Sequence, residues 1–413
     1  MPKLTVVVPT RERADTLHHT LKTLVQQDYE DFQILVSDNA SVDDTRKVAL
    51  SFNDKRITYI NTGRRVDMSQ NWEFALTHAT GEFITFIGDD DGFLPGAITK
   101  AMTLLEQTHV PAMIWHKAEY CWLDYPVAAM QNLIITDVRA GQATYVKAAA
   151  QLKRVIAFDA AYTTLPCLYN GIVRRSIMEK VKAMSTGGLF FNSISPDVYS
   201  GIALSLFVDE YLHVGYPFSV NGASRHSNGT SFTRTNGTNP QSPAAKFRQE
   251  NSRQYDARIQ LGPAVLICVM GEYMLVKDSL KQLDLPEPDW GNYVKKLAAS
   301  AAQSFLQQEV ALSAEFTARA VGLTLPAPQS QQTENTSVVT PANLESTLSF
   351  IAPPELVKNV HDACALVGAL APHSIQVVRY SVVTLAHTFT RSIFKHMYLE
   401  ARKFCRALLR GVT

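Results

Sequence analysis

The sequence has little cysteine and almost no net charge, and each shortage excludes a class of protein. The five cysteines among 413 residues lie far apart and form no Cys-x-x-Cys pair, so neither a disulfide framework nor a cysteine zinc site is indicated. We expect free thiols, as in a reducing compartment. The 39 Lys and Arg residues nearly balance the 38 Asp and Glu residues. Because the chain lacks the positive field that attracts nucleic acid, we expect no nucleic-acid partner.

Long apolar runs and glycine-rich phosphate motifs are also absent. The run at residues 4–8 ends at Pro9 and is shorter than the roughly 7–15 residues of a secretory signal core. The longest later run, residues 263–276, contains Glu272 and is shorter than the ~20 residues of a membrane span. We therefore expect a cytoplasmic protein that does not cross a bilayer. With no GxGxxG or P-loop motif, bound phosphates would depend on a metal and on arginines.

The first hundred or so residues alternate short β-branched runs with amphipathic helical segments, which is typical of a parallel sheet with crossover helices. Strands are predicted at residues 4–8, 33–37, 56–60 and 82–87. Leucines at 17, 21 and 24 form one stripe of a predicted helix, and Ser69 is the expected N-cap of a later one. The predicted fold class is α/β, with a mostly parallel sheet flanked by helices and a mainly helical C-terminal extension.

Composition and periodicity predict four units along the chain. These are an α/β domain over residues 1–230, a helical extension over 231–325, a linker over 326–346 and a C-terminal helical region over 347–413. Residues 379–413 contain seven basic residues against one acidic residue, with aromatic residues between them. Two interpretations stay open: a helix lying on an anionic membrane surface, or a helix docked on the protein by its apolar side, which we favour.

Polar residues follow the predicted strands at the edge of the sheet where ligands bind in open α/β folds. Residues 9–13 follow the first strand, Asp38 ends the second, and Asp89, Asp90 and Asp91 follow the fourth. Three adjacent carboxylates repel one another, so this turn suits a divalent cation such as Mg²⁺ or Mn²⁺; a water-exposed acidic turn is the alternative. Asp38 suits the imide N–H of a uracil-type base or, alternatively, a helix N-cap.

Taken together, four segments resemble the family-2 glycosyltransferases with the GT-A fold. They are VVVPTRER at 6–13, ILVSDNASVDDT at 34–45, NWEFALTHATGEFITFIGDDDGFLP at 71–95 and SPDVYSGIALSL at 195–206. The resemblance covers roughly the first 230 residues. It implies an inverting enzyme that moves a sugar from a nucleotide sugar, with a UDP-sugar favoured, to an acceptor hydroxyl on a glycan or lipid-linked acceptor. Such an enzyme would act in polysaccharide or glycoconjugate synthesis, with Mn²⁺ or Mg²⁺, at the inner face of a membrane.

The resemblance also implies roles for individual residues. It assigns the catalytic base to Asp197, although Pro196 stands where the family often has Glu, and Asp197 could instead be a helix-start residue favoured by the helix dipole. Gly88 stands where many members have the first aspartate of the acidic motif. The implied metal ligands are Asp90 and Asp91, with His226 as an additional candidate. The implied nucleotide-sugar-binding residues are Pro9, Thr10, Arg11, Arg13, Asp38, Asn71, Asp89 and Asp90.

Two other functions remain as alternatives. A sugar-phosphate nucleotidyltransferase would also combine an α/β sheet with carboxylate-bound Mg²⁺, but it should have a glycine-rich loop after the first strand, where this chain has PTRER. The second alternative is a non-catalytic binding or scaffold protein whose transferase fold has lost its activity. Loss of the acidic residues would favour it, but all of them are present here. The donor sugar, the acceptor, the linkage and the oligomeric state are not indicated by the sequence.

Overall fold

The predicted alternation of strands and helices is present in the computed structural model, which describes residues 2–137, 141–227, 243–302, 304, 306–325, 347–372 and 374–378. The described strands are β1 Leu4–Thr10, β2 Phe32–Asp38, β3 Ile57–Asn61, β4 Phe83–Phe86, β5 Gly92–Phe93, β6 Ala112–Trp115, β7 Ala118–Cys121, β8 Leu133–Asp137, β9 Gly141–Lys147, β10 Gly171–Arg174, β11 Glu210–Val214, β12 Ser219–Ala223, β13 Thr347–Ile351 and β14 Ile375–Val378. The first four agree with the predicted strands to within a few residues at each end.

Helices cover both faces of the main sheet. The described α-helices are α1 Ala14–Val25, α2 Thr45–Ser51, α3 Met68–His78, α4 Ala97–Thr108, α5 Ala148–Ile156, α6 Arg175–Met184, α7 Pro196–Leu204, α8 Pro243–Glu250, α9 Val265–Ser279, α10 Trp290–Ala301, α11 Gln307–Ala320 and α12 Val360–Leu370. Short 3₁₀ turns occur at Ala128–Met130, Tyr162–Thr164, Thr186–Gly188 and Lys281–Leu283. Among the described helices, none has the length and apolarity needed to span a membrane.

The main sheet has nine strands in the order β14-β9-β11-β6-β10-β4-β1-β2-β3. Strand β1 pairs in parallel with β2 and β4, and β2 pairs in parallel with β3. Strand β10 is antiparallel to both β4 and β6. The four predicted strands thus form an all-parallel portion of a mixed sheet, and the α/β fold class is confirmed. Their carboxyl ends meet at one edge, where the polar clusters were expected.

Alternate side chains of the interior strand β1 enter two separate cores. Leu4, Val6 and Val8 pack in the core that includes the leucine stripe of α1, while Val7 packs in the core that includes Trp72 of α3. All four of these β1 side chains are fully buried. A parallel strand covered by helices on both faces has no solvated side, which explains why residues 4–8 are apolar apart from the buried Thr5.

The predicted N-cap of α3 is wrong. Asp67 caps this helix, because its carboxylate accepts the backbone N–H of Gln70 at 2.8 Å. Asp67 has extended backbone dihedrals, as an N-cap requires, and its negative charge suits the positive end of the helix dipole. Ser69 is the second residue of α3, and its hydroxyl is hydrogen-bonded to the Ser193 hydroxyl at 2.7 Å.

The C-terminal region contributes strands as well as helices. Strand β13 pairs antiparallel with β8 at the edge of a second sheet of order β13-β8-β7-β12-β5, and β14 pairs in parallel with β9 at the edge of the main sheet. Helix α12 packs in the same core as α1. The predicted linker at 326–346 and the basic segment at 379–413 lie outside the described residues, and the four-unit division stays a prediction.

Candidate active site

A cavity of about 1190 Å³ opens at the carboxyl edge of the parallel strands. Its walls come from the turns after β1 and β4, from the start of α7, from strands of the second sheet, and from α8 and α9. Most of the predicted site residues line it: Pro9, Thr10, Arg11, Arg13, Asn71, Asp89, Asp90, Asp197 and His226. Asp38 and Asp91 lie behind its walls. The fold therefore brings these residues, which are far apart in sequence, to one crevice at the strand ends.

The acidic turn is buried, which contradicts the alternative of a water-exposed turn. The residues Asp89, Asp90 and Asp91 are 2%, 5% and 0% exposed. Asp91 uses both oxygens internally: Oδ2 accepts the Gly88 N–H and the Tyr169 hydroxyl, and Oδ1 accepts the Gly222 N–H at 2.7 Å. Burial raises its pKa to about 7. In this structure Asp91 holds the turn against β12, and its metal role stays a prediction.

Gly222 is required where β12 passes the acidic turn. A Cβ atom at this position would lie 1.8 Å from the backbone oxygen of Asp90, a distance that no side chain tolerates. The close approach lets the Gly222 N–H reach Asp91, and it lets the hydroxyls of Ser224 and Ser227 reach Oδ2 of Asp90 at 2.8 and 2.5 Å. The second sheet therefore sets the position of the acidic residues.

Asp90 is the carboxylate that best fits a divalent cation. It lines the cavity, and its hydrogen bonds with the described residues all go to Oδ2. Asp89 is paired instead with Arg13, 2.7 Å from its Oδ1. No group of three or more His, Cys, Asp or Glu side chains suited to a metal occurs in the described part of the chain. Mg²⁺ often binds through one or two carboxylates plus substrate phosphates and water, and Asp90 fits that arrangement.

Arg13 and His226 form one side of the cavity. Arg13 donates to Asp89 and to the backbone oxygen of His226. Burial opposes the charge on Arg13, but the carboxylates of Asp89 and Asp90 raise its pKa above the ordinary value. Burial and then the neighbouring Arg225 lower the pKa of His226, whose Nε2 accepts the Arg225 Nε–H at 2.8 Å. Only Nδ1 of His226 could therefore face a metal in this arrangement.

Asp38 is held in a polar network at the end of β2. Its Oδ2 accepts the Tyr59 hydroxyl at 2.6 Å and the Asn61 amide at 3.0 Å, and its Oδ1 accepts the Ser41 N–H at 3.0 Å. It is 1% exposed. The contact with Ser41 closes a local turn before α2, whose N-cap is Asp44. The proposed contact with a nucleotide base stays a prediction.

Asp197 lies in the first turn of α7 and faces the cavity. The Tyr162 hydroxyl donates to its Oδ2 at 3.0 Å. Burial raises the pKa of Asp197, while this hydrogen bond and the charge of Lys117 partly offset the rise. The carboxylate is thus oriented at one oxygen and made more basic by its surroundings, which are properties expected of a general base.

Lys117 and Tyr169 line the same cavity, although the sequence analysis did not predict them as site residues. The Lys117 ammonium donates to the Asn221 side-chain oxygen at 2.8 Å and lies 5.6 Å from the centre of the Tyr169 ring. The cavity arginines have carboxylate neighbours, as in the pairs Arg11–Glu250, Arg13–Asp89, Arg65–Glu12 and Arg225–Asp124. Lys117 donates to a neutral amide instead. No local pattern marks it, since it lies between two short strands.

The sequence of the first third of the chain matches a known family. Residues 5–149 match the family described as Glycosyl transferase family 2. The match includes the end of β1, the acidic turn and Lys117. It ends before Asp197, before Asn221, which accepts the Lys117 hydrogen bond, and before the helices from α6 onward.

Curated relatives match about a quarter of the chain. The chain is 42% identical over 105 residues to a GalNAc(5)-diNAcBac-PP-undecaprenol beta-1,3-glucosyltransferase of Campylobacter jejuni, covering 25% of this chain and 34% of the relative. It is 40% identical over 102 residues to a validoxylamine A glucosyltransferase of Streptomyces hygroscopicus, covering 23% of each. The chain thus spans about a third or less of the length of these two relatives.

Solved structures with a similar backbone include two transferases. Staphylococcus aureus TarS 1-349 in complex with UDP-GlcNAc matches with a TM-score of 0.46 and 15% identity, covering 78% of this chain and 93% of the TarS fragment. The mannosyltransferase PcManGT from Pyrobaculum calidifontis, in complex with GDP-Man and Mn²⁺, matches with a TM-score of 0.41 and 16% identity, covering 89% of this chain and 86% of PcManGT.

Proposed function

We propose that the protein is an inverting glycosyltransferase that moves a sugar from a nucleoside-diphosphate sugar to an acceptor hydroxyl. One observation carries the proposal: Asp197, oriented by Tyr162, lines the same cavity as the acidic turn of the family-2 domain. The cavity is large enough for a donor and part of an acceptor, since ligand sites are typically about 300–1,000 Å³.

Asp197 is the proposed general base. Its carboxylate takes the proton of the acceptor hydroxyl as the acceptor oxygen forms a bond to the anomeric carbon. The bond from that carbon to the diphosphate oxygen breaks on the opposite face, and its electron pair leaves with the nucleoside diphosphate. The raised pKa of Asp197 favours proton acceptance, provided that the carboxylate is ionised when the acceptor binds.

The leaving diphosphate needs positive charge beside it. We propose that Asp90 holds a divalent cation there, which supplies charge stabilisation when bound, and that the Lys117 ammonium contacts a phosphate oxygen. Lys117 suits this role because it faces the cavity while donating to a neutral amide. Arg13 keeps Asp89 neutralised next to that position.

The donor and acceptor classes are also proposals. We favour a UDP-sugar donor, with Mn²⁺ or Mg²⁺ as the cation, and a lipid-linked or glycan acceptor. Among the relatives, the Campylobacter jejuni enzyme is named for an undecaprenol-linked acceptor, and an Escherichia coli relative that is 24% identical over 110 residues is named for UDP-Glc and a diphosphoundecaprenol acceptor. Action at the cytoplasmic face of a membrane follows from that acceptor class.

The deciding experiment is a screen of nucleotide sugars for thermal stabilisation, with Mn²⁺, with Mg²⁺ and with EDTA. A ligand present at about 100 times its Kd adds about 2.7 kcal/mol of stability, which a melting curve detects. Each donor that binds is then incubated with lipid-linked and soluble glycan acceptors, and the product anomer is determined. Failure of every nucleotide sugar to stabilise the protein, or a product with retained configuration, would contradict the proposal.

A further inference from the structure

Glu272 of α9 is a buried acid that contacts the segment leading into α7. It is 0% exposed, although Glu is almost never fully buried unless it is paired. Its Oε1 accepts the N–H of Ile194 at 3.1 Å, the N–H of Ser195 at 2.6 Å and the Tyr255 hydroxyl at 3.0 Å. Its Oε2 has no hydrogen-bond partner among the described residues. All of its described partners are therefore on one oxygen.

These contacts fix the start of the helix that carries the proposed base. Ile194 and Ser195 immediately precede Pro196, the first residue of α7, and Asp197 is the next. Ser195 is the N-cap residue, but its side chain makes no capping hydrogen bond. Here Glu272, 77 residues away from Ser195, anchors the entry to the helix.

The charge state of Glu272 suits this role. Burial raises its pKa to about 8, so the side chain is mostly protonated and neutral near pH 7. In that form the carbonyl oxygen accepts the three hydrogen bonds, and no second negative charge lies near Asp197, whose carboxylate interacts with Glu272 electrostatically. A glutamine at this position would offer the same accepting oxygen.

We propose that Glu272 is a positioning residue for Asp197. It fixes the backbone at Ile194 and Ser195 and thereby keeps the Asp197 carboxylate directed into the cavity. The inference rests on the proposed function, in which Asp197 is the base. It gives the helical region beyond the matched family-2 domain a part in the reaction, because α9 supplies Glu272 and also lines the cavity with Val265 and Cys268.

The test compares Glu272→Ala with Glu272→Gln, using Met274→Ala as the control for a general loss of packing in α9. Met274 is buried in the core and is 8% exposed. Glu272→Ala should lower kcat about 10–100-fold, since a misplacement of about 1 Å can cost 10²-fold in rate, and should leave the donor KM within about twofold. Glu272→Gln should retain kcat within about threefold of the wild type. Met274→Ala should lower Tm and leave kcat nearly unchanged.

Amide hydrogen exchange at Ile194 and Ser195 provides a readout that needs no activity. Exchange there should be faster in Glu272→Ala and close to wild type in Glu272→Gln. Equal exchange in the wild type and Glu272→Ala would overturn the inference. A loss of kcat in Glu272→Gln or in Met274→Ala as large as the loss in Glu272→Ala would overturn it as well. If Glu272→Ala does not fold, Glu272→Asp, whose carboxylate is one methylene shorter, replaces it in both measurements.

The two proposals fail in different ways. If the wild-type protein transfers no sugar from any donor that binds, the proposed function fails, and the exchange data still decide whether Glu272 fixes residues 194 and 195. If the wild type transfers sugar and Asp197→Asn does not, while Glu272→Ala keeps full kcat, the transferase proposal stands and the positioning role of Glu272 is refuted.

Discussion

Removing the Tyr162 hydroxyl should move the acid limb of the pH–kcat profile to higher pH. This hydroxyl donates to Oδ2 of Asp197 at 3.0 Å and thereby stabilises the ionised carboxylate. A hydrogen bond to a charged group contributes about 1.5–3 kcal/mol, and one pKa unit corresponds to about 1.36 kcal/mol. In Tyr162→Phe the pKa of Asp197, already raised by burial, should therefore rise further, and the acid limb should move by about one to two pH units. Because the base must be ionised to accept a proton, activity at the acid side should fall.

The measurement is kcat at saturating donor and acceptor from about pH 5 to 9 for the wild type and Tyr162→Phe. Tyr211→Phe is the matched control, because the Tyr211 hydroxyl donates to the backbone oxygen of Thr164 in the same 3₁₀ turn as Tyr162. The control should keep the wild-type acid limb. An unshifted limb in Tyr162→Phe, or an equal shift in both variants, would refute the assignment of that limb to Asp197.

Four further outcomes follow from the site. Asp197→Asn should lower the rate about 10²–10⁴-fold while leaving donor affinity unchanged in calorimetry; an equal loss of donor affinity would make Asp197 a donor ligand or a structural residue. Asp90→Asn should reduce kcat about 10²-fold or more and weaken metal-dependent nucleotide binding, and full wild-type activity in excess EDTA would argue against the metal. Lys117→Met should weaken inhibition by the nucleoside diphosphate about 10–100-fold and leave inhibition by the free nucleoside unchanged. Equal weakening of both would contradict a contact between Lys117 and a phosphate oxygen. Glu272 has a pKa of about 8 against an ordinary 4.5, so the unfolded chain binds fewer protons between these values and stability should decline with rising pH there, by up to about 1.4 kcal/mol per unit. Urea unfolding of Glu272→Gln should lack this decline.

Local patterns were sufficient to predict the four parallel strands β1 to β4 and the sheet edge at which the cavity opens. The apolar run at 4–8 and the acidic turn at 89–91 each carry their signal within a few residues, because a doubly covered strand is continuously apolar and ligands lie beyond strand ends. Asp197 was predicted through the resemblance, and the structure brings it to the same cavity as Asp90.

The remaining site residues depend on contacts between distant segments. Tyr162 reaches Asp197 across 35 residues, and Glu272 reaches Ile194 across 78. The periodicity of apolar residues does not indicate contacts between residues so far apart in sequence. One sequence signal did point to Glu272: it is a single acid inside the apolar run at 263–276, which indicates a buried side chain with a partner. The sequence also could not distinguish among the three adjacent aspartates, because the turn geometry decides that Asp91 faces β12 and Asp90 faces the cavity.

The pairing of β13 and β14 has a consequence for shortened versions of the protein. These two strands lie at the outer edges of the two sheets, against β8 and β9. A chain cut before residue 347 would remove the partner strand along one side of Leu133–Asp137 and along one side of residues 141–144, and so would leave two open sheet edges. Exposed edge strands recruit strands from other molecules and promote aggregation. A chain truncated before residue 347 should therefore self-associate during expression even though every proposed catalytic residue is retained.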